Sequence, residues 1–150
     1  MVITGNTFTN IGDRIIRFGD VGADTQITIQ NNTATDSGDS DGKIMKAQSL
    51  AQGITYNICA NNWGEGKAAA NDELKEGTAV AEVNGLKYTT LAAAIDAAQA
   101  GDTVTLLKDV DLGSNTLTIN KKIHLTAAQK NIASQAQSAV LWLILTPASV

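Results

Sequence analysis

The sequence predicts an all-β chain with one short capping α-helix, built as stacked coils of a right-handed parallel β-helix, that is, a β-solenoid. Three observations carry this expectation. Two short apolar patterns recur in alternation, turn residues separate them, and a single amphipathic segment stands apart from both.

The first pattern is Ile3-Thr4-Gly5-Asn6, Ile27-Thr28-Ile29-Gln30 and Ile54-Thr55-Tyr56-Asn57, in which Ile is followed by Thr and then, three places after the Ile, by a side-chain amide. Its copies start 24 and 27 residues apart. Between them lie Arg14-Ile15-Ile16-Arg17-Phe18 and Lys43-Ile44-Met45-Lys46-Ala47, which share base, Ile, apolar, base, apolar. A repeat of this length, with short strands divided by Gly, Asp and Asn, suits one coil of a solenoid in which each strand pairs with its counterpart in the next coil. Side chains on a strand alternate between its two faces, so Ile3, Ile27 and Ile54 are expected to form an interior ladder. Thr4, Thr28 and Thr55, with Asn6, Gln30 and Asn57, are expected to face water unless a bend turns the amides inward to cap backbone groups. The turn from Thr33 to Gly42 is longer than its counterpart from Thr9 to Asp13, a difference that loops absorb at little entropic cost.

After Trp63-Gly64 the alternation stops. Residues 1–66 are therefore expected to be the terminal coils of one β-helix and 67–77 a polar linker. Residues 78–150 are expected to hold a cap helix and the first coil of a second unit, with an irregular tail from about residue 124. Leu91, Ala94, Ile95 and Ala98 share one helical face. Thr89 or Thr90 can cap the start of that helix and Gly101 can end it. Thr103 to Leu107, Leu117 to Ile119 and Ile123 to Leu125 read as strands of a fresh coil. The first coil of such a stack exposes an apolar end and a free backbone edge, and a helix laid across it covers both.

Composition narrows the function classes. In 150 residues, 43% hydrophobic content is compatible with a real core. A net charge of −4 with only 11 Lys and Arg removes the long-range attraction that drives phosphate binding, so nucleic acid is not an expected partner. Cys59 is the one cysteine and reads as a small buried hydrophobe. Met1-Val2-Ile3-Thr4-Gly5 lacks a basic region followed by an apolar stretch, so no secretion signal is expected in this piece. The apolar run from Ala139 to Leu145 is much shorter than the roughly 20 residues of a membrane-spanning helix, and no membrane insertion is expected.

Several side chains invite a chemical role. Asp36, Asp39 and Asp41 share a turn with Gly42, and clustered carboxylates suit calcium, although the spacing misses the helix-loop-helix calcium pattern. The competing reading is a solvated acidic turn. Arg14, Arg17, Lys43 and Lys46 would stack as basic pairs able to hold an acidic polysaccharide, or would serve as solvated edge charges that block aggregation. Tyr56 and Trp63 could stack on sugar rings or close the core. His124, the single histidine, lies in an alternating strand and is expected to face solvent. Ser40 or Ser49 with His124 lacks a third partner and an oxyanion hole, and Asp13, Asp20 and Asp24 read as turn carboxylates. No catalytic residue is assigned, and calcium is the only cofactor considered.

The run from Tyr88 to Ala98, then Gly101-Asp102-Thr103-Val104-Thr105-Leu106 and Leu117 to Ile123, resembles the opening of pectate-lyase-like right-handed β-helix domains. Asn61-Asn62-Trp63-Gly64 is similar to the Asn-Trp-Gly ending of the last coil in many bacterial β-helix repeats. The resemblance implies an extracellular or cell-surface location and contact with polysaccharide or host-surface glycans. Its superfamily mixes lyases, hydrolases, esterases and inert stalks, so fold does not decide activity. The function expected is a non-catalytic segment of a bacterial surface protein acting as stalk, adhesin or glycan-binding scaffold. The alternative is a fragment of a polysaccharide lyase or glycoside hydrolase acting on acidic glycans. After Ile123 the family pattern continues with Asp and Gly-rich turns, whereas this chain reads Leu125-Thr126-Ala127-Ala128-Gln129-Lys130. If those residues are encoded CTG ACG GCG GCG CAA AAA, reading two bases later gives Asp-Gly-Gly-Ala-Lys. A native tail and a shifted reading frame are thus both open, and the nucleotide sequence separates them.

Overall fold

The computed structural model describes residues 1–113 and 116–128. They are mostly strand with one short α-helix, which places the chain in the all-β class. Two compact units divide it, Met1–Thr78 and the part from Ala79 onward.

The first unit holds β1 (Val2–Thr4), β2 (Thr7–Thr9), β3 (Ile16–Val21), β4 (Gln26–Gln30), β5 (Thr33–Thr35), β6 (Lys43–Leu50), β7 (Thr55–Cys59) and β8 (Ala68–Ala69). All its pairings are parallel and fall into three rows, β1-β4-β7, β2-β5 and β3-β6-β8. Each strand meets the one that follows it by a full repeat, the interleaved order in which the two patterns occur along the chain.

The register corrects the expected isoleucine column. Ile3 pairs with Ile29 and Ile29 with Ile58, while Ile27 stands beside Tyr56. Ile54 precedes β7 altogether. The slip is an even number of residues, so the inward face is kept: Ile27, Ile29 and Ile58 are all buried. Corner residues account for the true alignment. Gly5, Asn31 and Ala60 have φ of +68°, +55° and +60°, and each stands just after one strand of the row β1-β4-β7. Three left-handed corners stacked in line fix which residues can pair, whereas the Ile-Thr doublet has no such hold on the backbone. Gln30 and Asn57 are likewise corrected, being buried in place of facing water, while Thr4 and Thr55 are exposed as alternation requires.

The core of this unit comprises Ile16, Phe18, Ile27, Ile29, Ile44, Met45, Ile58, Trp63 and Leu74. Leu74 overturns the linker expected over residues 67–77. It is fully buried at the end of a short 3₁₀ helix, Asp72–Leu74. Around it β8 pairs with β6, and the Asn71 side chain accepts from Ala47 N at 2.8 Å and donates to Ala47 O at 3.3 Å. A polar composition concealed one apolar anchor and one backbone-bridging amide.

The second unit opens with a hairpin that the strand patterns did not suggest. β9 (Ala81–Val83) and β10 (Leu86–Tyr88) pair antiparallel around Asn84 and Gly85, whose φ values of +52° and +76° suit the tight turn that Asn-Gly favours. That dipeptide was the available signal. β11 (Thr103–Leu106) runs antiparallel to β9, and β12 (His124–Ala127) runs parallel to β11. The tail is thus regular through Ala127, a correction to the irregularity expected from residue 124. The shifted-frame reading beyond Ala128 and the apolar run from Ala139 lie outside the described residues. Leu117 to Ile119 is not a strand, although Ile119 is buried.

Helix α1 (Leu91–Ala97) starts where Thr90 accepts from Ala93 N at 3.2 Å. Its expected face, Leu91, Ala94, Ile95 and Ala98, is buried with Val83 and Val104. Gly101 does not end the helix; at φ +94° it turns the chain into β11 and donates to Lys122 O at 2.8 Å.

Asp102 then joins the hairpin turn to this segment, accepting from Gln99 N at 2.7 Å and from Asn84 Nδ2 at 2.8 Å. These bonds, the Gln99 amide first, hold its carboxyl below the ordinary aspartate value. A lowered folded pKa means that the unfolded chain binds a proton more readily, so the contribution to stability is present above the ordinary value and is lost as pH falls through the folded one. Acid titration of unfolding is expected to show this loss, and Asp102→Asn is expected to flatten it. An unchanged acid limb in the variant would remove Asp102 from the account.

Candidate functional site

Along β3 the side chains alternate, with Ile16 and Phe18 inward and Arg17 outward. β6 lies in register beside it, which puts Arg17 next to Lys46, both exposed. The ladder continues toward the chain start, where Ile15 N donates to Ile44 O at 2.8 Å. Arg17 and Lys46 are thus register partners, while Arg14 precedes β3 and Lys43 opens β6 beside Ala68.

Their charges are largely answered. Arg17 Nη2 donates to both oxygens of Asp13, at 2.6 and 2.7 Å. Arg14, whose side chain is 13% exposed, donates from Nη1 to Asp39 and from Nη2 to Asp41, the latter at 2.8 Å. The arginines of the cation row thus meet two carboxylates of the calcium turn, and Arg14, Arg17, Asp13, Asp39 and Asp41 form one ion-pair cluster to which Lys43, Lys46 and Asp36 add no pair among the described residues. Asp13 is held below its ordinary value chiefly by the Arg17 hydrogen bond, and Asp39 chiefly by the Ser40 amide. Asp36 is exposed and takes φ +49° at the turn. Among the described residues no group of three His, Cys, Asp or Glu is placed to hold a metal. A guanidinium already between Asp39 and Asp41 would have to leave before calcium could use both.

The aromatic residues sit differently from the glycan-stacking expectation. Trp63 is in the core at 8% exposure, and its Nε1 donates to Glu76 at 3.2 Å, so it has no open ring face. Tyr56 packs against the same core, and its buried hydroxyl has no partner among the described residues. Burial pushes that hydroxyl's pKa up. His124 is exposed on β12 as expected, in register with Thr103. Ser49 donates to Asp20 at 2.6 Å across the β3/β6 pair, in the unit that does not contain His124.

The most ordered polar feature was not anticipated. Asn6 donates from its backbone N and from Nδ2 to Asn32 Oδ1, each at 3.0 Å. Asn32 repeats the arrangement one coil on, donating to Asn61 Oδ1 at 3.0 Å from N and 2.9 Å from Nδ2. Asn32 Nδ2 also reaches back to Ile3 O at 3.1 Å, and Asn61 Nδ2 to Ile29 O at 3.0 Å. These asparagines are 26 and 29 residues apart, and each directly follows a left-handed corner residue. Of the amides expected to stack, only Asn6 belongs to the ladder. The legible clue was Asn after Gly5, Asn31 or Ala60; Gly5 and Asn31 are types that suit a left-handed corner, whereas Ala60 is not.

Glu76 ends the row. Its carboxylate accepts from Asn61 N at 2.7 Å and Asn61 Nδ2 at 3.0 Å, besides Trp63 Nε1. It stands where the oxygen of another asparagine would be.

Comparison of the chain with protein-family models, with curated proteins and with solved structures finds no match.

Proposed function

We propose that the first unit is a run of right-handed parallel β-helix coils, and that the chain is a non-catalytic segment of an extracellular bacterial β-helix surface protein serving as stalk, adhesin or glycan-binding scaffold. The observation that carries the reading is the agreement of three parallel rows with one asparagine ladder, whose steps of 26 and 29 residues are those of the row β1-β4-β7. Right-handedness follows from the strong preference of parallel crossovers for that hand. The setting rests on the resemblance of Tyr88 to Ile123 and of Asn61 to Gly64 to bacterial β-helix sequences.

Such a stack suits mechanical spacing, because every coil is bonded to its neighbours through backbone on several sides. Lys46, exposed beside the Asp13-bound Arg17, is the cation we assign to acidic glycan contact. Screening by salt makes such contact weak and dependent on ionic strength.

Incubation with pectate and other acidic glycans separates this reading from a lyase fragment. No ultraviolet-absorbing unsaturated product is expected over hours at micromolar protein. Its appearance, with an equal release of reducing ends, would replace the scaffold reading by the catalytic one.

A further inference from the structure

The asparagine ladder has a direction. From rung to rung the bonds run one way, Asn6 donating to Asn32, Asn32 to Asn61 and Asn61 to Glu76, so the last member needs an acceptor and the first presents one. Glu76 meets the first condition, since a carboxylate accepts hydrogen bonds and donates none. At the other end no described residue donates to the exposed Oδ1 of Asn6.

That same end is unfinished in two further ways. Among the described residues β1, β2 and β3 each pair on one side only. Gly5 N donates to Gln30 O and Asn10 N to Thr35 O, so the intervening strand alternation turns the N–H groups of Thr4 and Thr9 away from the second coil. Between the strands lies an open depression of about 600 Å³, lined by Ile3, Phe8, Ile15 and Ile16 and also by the polar Thr4, Asn6 and Arg17. Val2 beside it is 60% exposed. A free parallel edge and an unanswered amide oxygen, beside a depression whose apolar side chains continue the core, all ask for the same occupant.

We propose that the end formed by β1, β2 and β3 is a docking surface for one further parallel coil, supplied by polypeptide joined ahead of β1, whose asparagine donates to Asn6 Oδ1. The proposal rests on the β-helix reading of this unit. A second copy of the chain is not the occupant, because among the described residues the donating end of its ladder, Asn61, is closed by Glu76. Hydrogen-bond polarity thus makes the stack extendable at one end and finished at the other.

Duplication of residues 3–28 in tandem within the full chain tests this, since it sets a coil ahead of Ile3 while keeping the 26-residue register seen between Asn6 and Asn32. Amide hydrogen exchange is expected to gain a coil's complement of slow sites. Asn6→Asp in the added copy alone removes the Nδ2 donor and sets an anion against Asn6 Oδ1. Exchange in the added coil is then expected to quicken about tenfold or more, the effect of losing one net hydrogen bond to a buried partner.

An added coil that exchanges like an unstructured chain overturns the proposal, as does one whose protection survives Asn6→Asp. A dimer of the unduplicated chain that Asn6→Asp dissociates in sedimentation equilibrium also overturns it, by assigning the end to a second copy. Fast exchange at Thr28 and Thr55 in the unduplicated chain would instead sink the β-helix reading itself, which keeps the two failures apart.

Discussion

Replacing Asn32 by alanine is expected to lower the unfolding free energy of the first unit by about 3–4 kcal/mol, toward the upper end for a single substitution because several enclosed polar groups lose their partners together. Asn32 is 1% exposed and serves both neighbouring coils. Its loss leaves Asn6 N and Nδ2 without the Asn32 oxygen and takes the amide donor from Ile3 O and Asn61 Oδ1, the latter keeping only its bond from the backbone N of residue 32. Water cannot readily replace them, because the position is sealed by the coils on either side.

Asn32→Asp sharpens the test. It keeps the size and an oxygen for Asn6, but substitutes an acceptor for the Nδ2 that reaches Ile3 O and Asn61 Oδ1. A loss at least as large as that of alanine is expected at neutral pH, with partial recovery in acid as the new carboxyl takes up a proton and can donate. Denaturant unfolding of both variants reads this. A cost of alanine within about 0.5 kcal/mol, the ordinary range for surface sites, would remove the ladder from the account of stability.

The second large effect falls where the composition suggested only a connector. Leu74→Ala is expected to cost about 2–5 kcal/mol, the usual range for truncating a buried leucine. Leu74 is fully buried within the core that also holds Ile29, Ile58 and Trp63. The variant should also open residues 67–77 to proteolysis, since Asn71 and Glu76 hold that segment through bonds that flank Leu74. A stability unchanged within about 0.5 kcal/mol would return the segment to the status of a linker.

These effects mark how far local pattern reached. The helix was legible to the residue on its buried face, because Leu91, Ala94, Ile95 and Ala98 each depend only on the period of one helix. The interleaving of two strand patterns was legible because alternation and turn chemistry are local as well. Arg17 beside Lys46 followed from aligning the second pattern, whose two copies lie in the register the fold adopts. The first pattern misled because Ile27 and Ile29 are equivalent in local environment, so matching the Ile-Thr doublet chose the wrong one of two buried positions.

The candidate site was legible in membership and not in meaning. Spacing singled out Arg14, Arg17, Asp39 and Asp41, yet assigned bases and acids to separate ligands. Only the return of the chain one coil later brings Arg14 against Asp39 and Asp41.

By itself the sequence determined an all-β chain, one amphipathic helix, and two strand families recurring in a common order, since each of these follows from periodicity within a few residues. The tertiary structure alone decided the register, the asparagine ladder and the closure by Glu76. Those depend on left-handed corners and hydrogen bonds joining residues a full repeat apart, and Ala60 carries no local mark of the conformation it adopts.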